Sequence, residues 1–470
     1  MVDILYDRQS RITGWNQEKL EQARVAVLGS GTLAQQLLIN LAGIGITNLM
    51  VQSNGRIGRT KDDYFIFGYP FNLQGTRRID AIEKELLQIN PNLQGRLKTR
   101  FTFFDMGELY EFKPDVVVNA QNHPAIVENG LFYCIRKNVR YIAGSSGEDS
   151  GKFQVFVPGS SSGLDYLVTN IGSREIPNPQ PSGVIAGMIA DEVRKLFMPL
   201  EPGDEPLPSG QVRHYSLLAK DRCSDREELE SIANKDLRAF RALVVGAGAV
   251  ANSLTAQLAL AGFGQIDVID GDKIEVHNLS RQFAFREHVG ESKAKILVKR
   301  IKEYAPATHS TACEHFLTEH DDAFFSLRGL PKYDIIFGAV DELAVRKVIN
   351  TYAVTYKIPY IDGGIDSLRG NLRAYYPSVN FCLDCQIGFE PSLKDQQSRR
   401  ARQGGCDQAR PSVIMPNFIV GSAMVGEALR FFYRKGDSDI LKLGLQYDSL
   451  TPHRIYPDRA QSRTGCRCIP

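Results

Sequence analysis

Two stretches of the sequence decide the fold: "RVAVLGSGTLAQQLLINLAGIG" at 24–45 and "ALVVGAGAVANSLTAQLALAGFG" at 242–264. Each begins with an apolar run typical of a buried strand, continues through a glycine turn, and ends with apolar residues at helical spacing. Gly29 and Gly246 are 217 positions apart, and so are Gly45 and Gly262. One unit is therefore written twice, and this period is far too long for a solenoid repeat.

The repetition extends through both halves of the chain. "PDVVVNAQNHPAIVENGLFYCIRKNVRYIAGSS" from Pro114 parallels "YDIIFGAVDELAVRKVINTYAVTYKIPYIDGGI" from Tyr333, and the proline- and glycine-rich segment 199–210 lies between the halves. The pattern predicts an α/β protein with two tandem Rossmann-like domains. We expect a first domain at 1–200, a linker with the helix that leads into the second domain at 201–235, and a second domain at 236–470.

The composition restricts the class of protein. Hydrophobic residues make up 43% of the 470 positions, and 56 basic side chains balance 54 acidic ones, which argues against a nucleic-acid partner. No apolar run reaches the ~18 residues of a membrane helix, and the N-terminus lacks a signal core. We expect a soluble cytoplasmic protein without a membrane partner. Its 8 cysteines then suggest metal ligands or reactive thiols rather than disulfides.

A dense polar loop, "DGDKIEVHNLSRQ" at 270–282, follows a predicted strand of the second half. The turn at Gly246 and Gly248 can bring backbone N–H groups and a helix N-terminus close to phosphate. Asp270 comes 22 residues after Gly248, the spacing of an acidic residue that binds ribose hydroxyls. These features alone fit NAD as well as ATP.

The polar residues that follow favour a triphosphate. Arg281 and Lys293 can neutralise phosphate charge and orient the α-phosphate for attack, whereas hydride transfer has little use for them. Asp341 ends another predicted strand, where a carboxylate can hold Mg²⁺ against phosphates. The alternative for each residue is a solvated surface charge. The candidate nucleotide ligands of the second half are Gly246, Gly248, Asp270, Asp272, Asn278, Arg281, Gln282, Lys293 and Asp341.

The first half has lost these groups. A shift of 217 positions places Ser53 opposite Asp270, and the other candidates meet residues without matching chemistry. The remaining pairs are Gly55 for Asp272, Lys61 for Asn278, Tyr64 for Arg281 and, two residues further on, Asn122 for Asp341. We therefore expect the first half to keep the fold without binding a nucleotide.

In order and spacing, "VVGAGAVA", "DGDKIEVHNLSRQ", "GESKAK" and "AVDELAVR" resemble the ubiquitin-activating enzyme superfamily and its bacterial sulfur-carrier adenylyltransferase relatives of the ThiF and MoeB type. The resemblance covers nearly all of the second half. It implies two ThiF-type domains in an intramolecular pseudo-dimer, the first degenerate. It also implies that Asp270, Asn278, Arg281, Lys293 and Asp341 adenylate the C-terminal glycine of a ubiquitin-like protein with Mg-ATP.

The N-terminus fits the same family. Its members begin with a Tyr-x-Arg-Gln element, here "YDRQ" at 6–9, whose arginine reaches across a domain interface to the partner's ATP. The resemblance makes Arg8 the candidate, with Arg11 as a second. The degenerate first half then completes the site of the second, so that one chain does what two identical subunits do in the bacterial relatives.

Four cysteines form a candidate zinc site. Cys382 and Cys385 have the C-x-x-C spacing of a zinc knuckle. The second pair is Cys466 and Cys468, a C-x-C that is tighter than the family's usual C-x-x-C. The alternative is four unligated thiols.

Cys406 is the candidate nucleophile. It lies in the polar, basic segment "RRARQGGCDQARPSVIMPN", where nearby arginines can lower a thiol pKa from ~8.5. In related enzymes a reactive cysteine precedes the last helix, which implies a thioester with the activated carrier and transfer to a conjugating enzyme. Three alternatives stay open: a sulfur-carrier adenylyltransferase for cofactor or tRNA thiolation, a non-enzymatic assembly module and an NAD oxidoreductase. A free loop thiol is the alternative for Cys406 itself.

Overall fold

The fold is taken from a computed structural model of the chain. It describes residues 4–58, 74–121, 123–160, 179–217, 219, 222–224, 236–318, 333–390, 392, 410–433, 444–450, 454–458, 466 and 468. Within these ranges, no helix combines the length and the apolar character needed to cross a membrane.

The first half contains eight strands and seven helices among its described residues. The strands are β1 Arg24–Leu28, β2 Asn48–Gln52, β3 Lys98–Arg100, β4 Val116–Asn119, β5 Arg140–Ser146, β6 Ser150–Phe156, β7 Val212–Ser216 and β8 Cys223–Ser224. The helices are α1 Asp7–Ser10, α2 Gln17–Gln22, α3 Thr32–Ile44, α4 Arg78–Ile89, α5 Met106–Phe112, α6 Pro124–Lys137 and α7 Pro179–Phe197.

The second half repeats this plan. Its strands are β9 Arg241–Val245, β10 Gln265–Ile269, β11 Ala312–Cys313, β12 Ile335–Gly338, β13 Tyr360–Asp366, β14 Arg369–Tyr375, β15 Gly444–Asp448 and β16 Arg454–Asp458. Its described helices are α8 Ala249–Ala261, α9 Lys293–Tyr304, α10 Leu343–Tyr356, α11 Leu383–Ile387 and α12 Ile414–Tyr433.

Both sheets have the same strand order. The first runs β3-β2-β1-β4-β5-β6-β7-β8, and the second runs β11-β10-β9-β12-β13-β14-β15-β16. The first five strands of each order are parallel and the remaining pairs are antiparallel. Because β9 lies between β10 and β12, the chain reverses its direction of travel across the sheet there. Ligands bind open α/β sheets at the carboxyl ends of strands beside such a switch point.

The segment 201–235 is not only a linker. Strand β7 pairs antiparallel with β6, and β8 pairs with β7, so this segment supplies the last two strands of the first sheet. The boundary expected at residue 200 is therefore too early, since the first domain extends at least to Ser224. The helix expected at the end of this segment falls at 225–235, outside the described residues.

Helices α3 and α7 of the first half pack against α8 and α12 of the second. Both α7 and α12 are buried almost all round, and the charged residues near the end of α7 are buried in ion pairs. At Gly187 a Cβ atom would come within 2.5 Å of Ile419 Cγ1, so glycine is needed where α7 crosses α12. One continuous hydrophobic core includes residues of both halves. The prediction of an α/β pseudo-dimer of two Rossmann-like domains is confirmed.

Candidate functional site

The glycine turn between β9 and α8 forms one wall of the site. Gly246 has φ +95°, and a Cβ atom there would lie 2.4 Å from the carbonyl oxygen of Ala339, so only glycine fits. Gly248 begins α8 without a side-chain cap, and a Cβ atom there would meet nothing closer than 3.9 Å. The N-terminus of α8 therefore faces open space, which suits a phosphate group.

Asp270 follows β10 and is tied to the glycine turn. Its Oδ2 accepts a hydrogen bond from the backbone N–H of Ala247 at 2.6 Å, and its Oδ1 accepts one from the N–H of Asp272 at 2.7 Å. Burial raises the pKa of the Asp270 carboxyl above its ordinary value. The side chain is thus held in one orientation at the carboxyl edge of the sheet, where it can accept from ribose hydroxyls.

Lys293 is the first residue of α9 and is nearly buried. Its backbone N–H donates to the Asp272 carbonyl at 3.0 Å, and its Nζ donates to Asp272 Oδ2 at 2.7 Å. The main-chain bond fixes the ammonium group beside the loop, and the half-exposed carboxylate partner leaves it open to a further anion. Lys293 can thus bind phosphate as a point charge.

Asp341 lies exposed just past β12. The turn that carries it is held by Arg346, whose Nε and Nη2 donate to the Val340 carbonyl at 3.1 and 2.8 Å. Arg346 also forms an ion pair with the buried Asp362 at 3.2 Å. Asp341 is therefore placed by the fold at the rim of the site, where a carboxylate can take part in Mg²⁺ coordination.

Two guanidinium groups meet in the site from different halves of the chain. Arg281 is 7% exposed and its Nη1 donates to the His277 carbonyl at 2.7 Å. Arg8 Nη2 lies 3.3 Å from His277 Nε2, and Arg8 Nη1 donates to the Arg410 carbonyl at 3.5 Å. Burial, followed by the charge of Arg8, lowers the pKa of Arg281 to about 10, so it stays protonated at neutral pH.

These two arginines lack the counter-charge that buried cations normally have. Among the described residues, neither forms an ion pair with a carboxylate, although Asp341 acts on Arg281 at longer range. The Arg8 Nε atom is buried without a hydrogen-bond acceptor. Arg281 is nearly buried and Arg8 is partly buried, and a cation without a counter-charge in such surroundings is costly, so an anion in the cavity would stabilise the arrangement. The donor set therefore fits a polyphosphate.

Arg8 reaches the second half because α1 is anchored to the first. The Tyr6 hydroxyl accepts from Asn90 Nδ2 at 2.8 Å, and Gln9 Nε2 donates to the Ile44 carbonyl at 3.0 Å. The Arg8 carbonyl accepts from the N–H of Ser412 at 3.2 Å, which fixes the far side of the segment. Tyr6 and Gln9 thus fix α1 to the first half, while the Arg8 side chain extends toward His277 of the second half.

Arg11 is not part of this arrangement. Its Nη2 lies 3.0 Å from Asp7 Oδ1, an ion pair one helical turn back, and its side chain is 44% exposed. It is absent from the described lining of the cavity. The structure therefore brings Arg8, and not Arg11, to the site.

The cavity bounded by these groups has a volume of about 770 Å³. This is within the ~300–1,000 Å³ usual for small-molecule sites. Every candidate nucleotide ligand of the second half lines it: Gly246, Gly248, Asp270, Asp272, Asn278, Arg281, Gln282, Lys293 and Asp341. Asn278 is oriented by the Glu275 N–H, which donates to its Oδ1 at 2.9 Å, and Gln282 Oε1 is buried without a donor.

The four candidate zinc ligands come together beside α11. Their Sγ atoms lie within 4.8 Å of one another; Cys382 is 3.6 Å from Cys466, and Cys385 is 3.6 Å from Cys468. Tetrahedral zinc with bonds of about 2.3 Å separates its sulfur ligands by about 3.8 Å. The residues therefore fit a zinc ion, and the C-x-C pair reaches the cluster as well as the C-x-x-C pair does.

The sequence model of the ThiF family matches residues 6–229 and 226–468, almost the whole chain in two copies. The chain belongs to the ThiF family. The resemblance to the ubiquitin-activating enzyme superfamily is confirmed, and the two matches agree with the two sheets of the structure.

Several enzymes that activate ubiquitin-like proteins are similar to this ThiF-family chain. The NEDD8-activating enzyme E1 catalytic subunit of Caenorhabditis elegans is 33% identical over 179 residues, 35% of this chain and 39% of that protein. Its Arabidopsis thaliana counterpart is 35% identical over 34% of this chain and 37% of that protein. SUMO-activating enzyme subunit 2 of Dictyostelium discoideum is 32% identical over 32% and 22%. The chain spans less than two fifths of the length of these relatives.

At the matching position of the first ThiF domain, the polar groups bond to one another. The Ser53 hydroxyl, opposite Asp270, lies 2.7 Å from the Ser30 hydroxyl and accepts from the Gly55 N–H at 3.0 Å. These groups satisfy one another, unlike Arg281 of the second domain, which has no carboxylate ion pair among the described residues. Three further positions of the comparison, Lys61, Tyr64 and Asn122, lie outside the described residues.

Cys406 also lies outside the described residues, together with Arg399, Arg400 and Arg402. The residues that follow it are described. Arg410 and Ser412 line the cavity and bond to Arg8 through the main chain. The assignment of Cys406 as nucleophile stays a prediction.

Among the cavity-lining residues that the sequence analysis did not assign to the site are His277, Arg410 and Asn417. His277 lies inside the polar loop 270–282, so its place in that loop could have marked it as a cavity residue. Arg410 and Asn417 come from the segment before α12 and its first turn. No local pattern marks them, because only the packing of α12 against α8 brings them near the glycine turn.

Proposed function

We propose that this ThiF-family protein activates a ubiquitin-like protein by adenylating its C-terminal glycine with ATP. One observation carries the proposal: Arg8 of the first domain and Arg281 of the second converge, without carboxylate partners, on a cavity that also contains Asp270 and Lys293. Such a set suits a nucleotide with several phosphate charges better than a nicotinamide cofactor. The similarity to NEDD8- and SUMO-activating enzymes supports the same class of substrate.

Each group has a distinct task in this proposal. The glycine turn and the N-terminus of α8 receive phosphate oxygens, and Asp270 accepts hydrogen bonds from the ribose. Arg8, Arg281 and Lys293 stabilise negative charge that builds up on the phosphates during attack. Asp341 would hold Mg²⁺, which supplies further charge neutralisation there.

The chemistry proceeds in two steps. A carboxylate oxygen of the carrier attacks the α-phosphorus of ATP, and pyrophosphate leaves. The Cys406 thiolate then attacks the acyl carbon, AMP leaves, and the thioester passes to a conjugating enzyme. If Cys406 serves persulfide chemistry instead, the protein is an adenylyltransferase for a sulfur carrier.

The test is ATP–pyrophosphate exchange with a panel of ubiquitin-like proteins, each paired with a control that lacks the C-terminal glycine. We expect exchange with one intact carrier and none with its truncated control. Cys406→Ala should keep the exchange but lose a thiol-sensitive covalent adduct with the carrier. Exchange that ignores the glycine, or tight nicotinamide binding, would refute the proposal. An adduct that requires an added sulfur donor would favour the sulfur carrier.

We also propose that the four-cysteine cluster holds a structural zinc ion and not a catalytic one. All four coordination positions would be taken by sulfur, which leaves none for water or substrate. The cluster joins α11 to the last residues of the chain, so its metal would fix the C-terminal segment on the second domain.

A further inference from the structure

His277 occupies a position between the two unpaired arginines. Its Nε2 faces Arg8 Nη2 at 3.3 Å, and its backbone carbonyl accepts from Arg281 at 2.7 Å. The ring lines the cavity with 23% of its side chain exposed. No other described side chain of the cavity lies in hydrogen-bond contact with the arginine that comes from the first domain.

Positive charge predominates over negative charge around the His277 imidazole. On α1 it faces Arg8 and, further away, Asp7, whose carboxylate is already paired with Arg11. On its own loop it faces Arg281, and its Nδ1 lies 3.2 Å from Glu275 Oε2. Glu275 is largely exposed, so solvent screens its charge. Two nearby cations therefore outweigh two carboxylates, of which Glu275 is screened by solvent and Asp7 is paired with Arg11.

We propose that His277 is a fourth phosphate-binding side chain of the site, beside Arg8, Arg281 and Lys293, neutral when the cavity is empty and protonated when the phosphates of ATP bind. The proposal rests on the proposed function, since it assumes that the anion in the cavity is a nucleotide triphosphate. The proton comes from solvent and stays on the imidazole, and no covalent bond changes. Nucleotide binding and proton uptake are then linked events.

The electrostatics give the direction of the effect. In the free protein, burial and then the positive charges of Arg8 and Arg281 lower the pKa of His277. A bound triphosphate would engage both arginines and place negative charge beside the ring, which favours the imidazolium. The same residue would then act as a proton-regulated contact in the physiological range, where histidine ordinarily titrates near 6.5.

Calorimetry of Mg-ATP binding to the full chain near neutral pH, without any carrier, tests the linkage. In two buffers with different ionisation enthalpies, we expect the apparent heat for the wild type to reveal net proton uptake. The uptake should be smaller in His277→Asn and His277→Gln, and the difference isolates the imidazole from protonation of the nucleotide itself. Equal uptake in the wild type and in both variants overturns the proposal.

A second readout separates this inference from the proposed function. The chain has 8 histidines, so the His277 ring resonance can be assigned by its absence from the His277→Asn spectrum. Titration of the wild type by NMR should give a pKa below the ordinary value, and tripolyphosphate alone should raise it. A pKa that tripolyphosphate leaves unchanged overturns the inference, whether or not ATP binds. A raised pKa in a protein that does not bind ATP sustains the inference and refutes the nucleotide assignment.

Discussion

At the scale of single residues, Arg8 and Arg11 form a matched pair three positions apart. Arg8 enters the cavity, whereas Arg11 is held by Asp7 at the surface. We expect Arg8→Ala to slow ATP–pyrophosphate exchange by about 10²–10³-fold, because its charge acts on the phosphates in the transition state. Arg11→Ala should retain nearly wild-type exchange and serves as the control. Equal losses in both variants would show that the whole N-terminal helix, and not the Arg8 charge, matters.

Arg281 should strengthen nucleotide binding but lower the stability of the ligand-free protein. It is a buried cation without an ion-pair partner among the described residues. Its lowered pKa shows that burial disfavours its charged form. We expect Arg281→Met to keep or raise the melting temperature of the ligand-free protein and to abolish exchange. Pyrophosphate should raise the melting temperature of the wild type but not that of the variant. A destabilised variant would mean that the bond to the His277 carbonyl dominates.

Asp270 predicts a pH dependence of opposite sign to that of His277. It must be ionised to accept hydrogen bonds from the ribose, and burial raises its pKa above the ordinary value of ~3.9. ATP affinity should therefore fall as the pH decreases through this raised pKa, at a higher pH than an exposed aspartate would give. Asp270→Asn should bind weakly at every pH and lose the acid limb. An unchanged acid limb in the variant would assign it to another group.

At the scale of elements, the zinc cluster tests how α11 and the C-terminal segment are joined. We expect one zinc per chain after purification without added metal, measured by elemental analysis. Cys385→Ser should lose the metal and lower the melting temperature, because all four thiolates are needed to close the site. Cys313→Ser changes a partly exposed cysteine away from the cluster and is the matched control. If chelation removes no metal from the wild-type protein and leaves its melting temperature unchanged, the zinc assignment is wrong.

Elements also show where the sequence was sufficient. The loop 270–282 could be predicted because its ligands are neighbours along the chain, and one strand end places them all at one edge of the sheet. The assignment of 201–235 failed because β7 and β8 are short, and they are strands only because β7 pairs with β6 and β8 pairs with β7. Pairing across more than fifty residues leaves no local signal. Asn417 was missed for the same reason, since helix packing alone places it.

At the scale of the whole molecule, a buried ion pair links the first domain to the second. Arg222 donates to both carboxylate oxygens of Glu427 on α12, at 2.6 and 2.9 Å, and both side chains are almost fully buried. Glu427→Gln would remove a buried carboxylate that faces both Arg222 and Arg430, and we expect a loss of about 3–5 kcal/mol in the free energy of unfolding. Chemical denaturation measures it. Glu390→Gln, which removes an exposed ion pair with Lys347, is the control and should cost little.

The asymmetry of the pseudo-dimer predicts a single nucleotide site per chain. In the second domain the nucleotide-ligand candidates converge with Arg8 on one cavity, where Arg281 has no carboxylate ion pair among the described residues, whereas Ser53 and Ser30 of the first domain bond to each other. Titration calorimetry with Mg-ATP should therefore give a stoichiometry near one.

Asp270→Asn should reduce that binding, while Ser53→Ala should leave both affinity and stoichiometry unchanged, because Ser53 only closes the matching position. Two equivalent sites, or a loss of binding in Ser53→Ala, would contradict a degenerate first domain. Such a result would also remove the reason for fusing the halves. A degenerate domain that supplies Arg8 needs only the fold and the interface, and those are the features that the first half has kept.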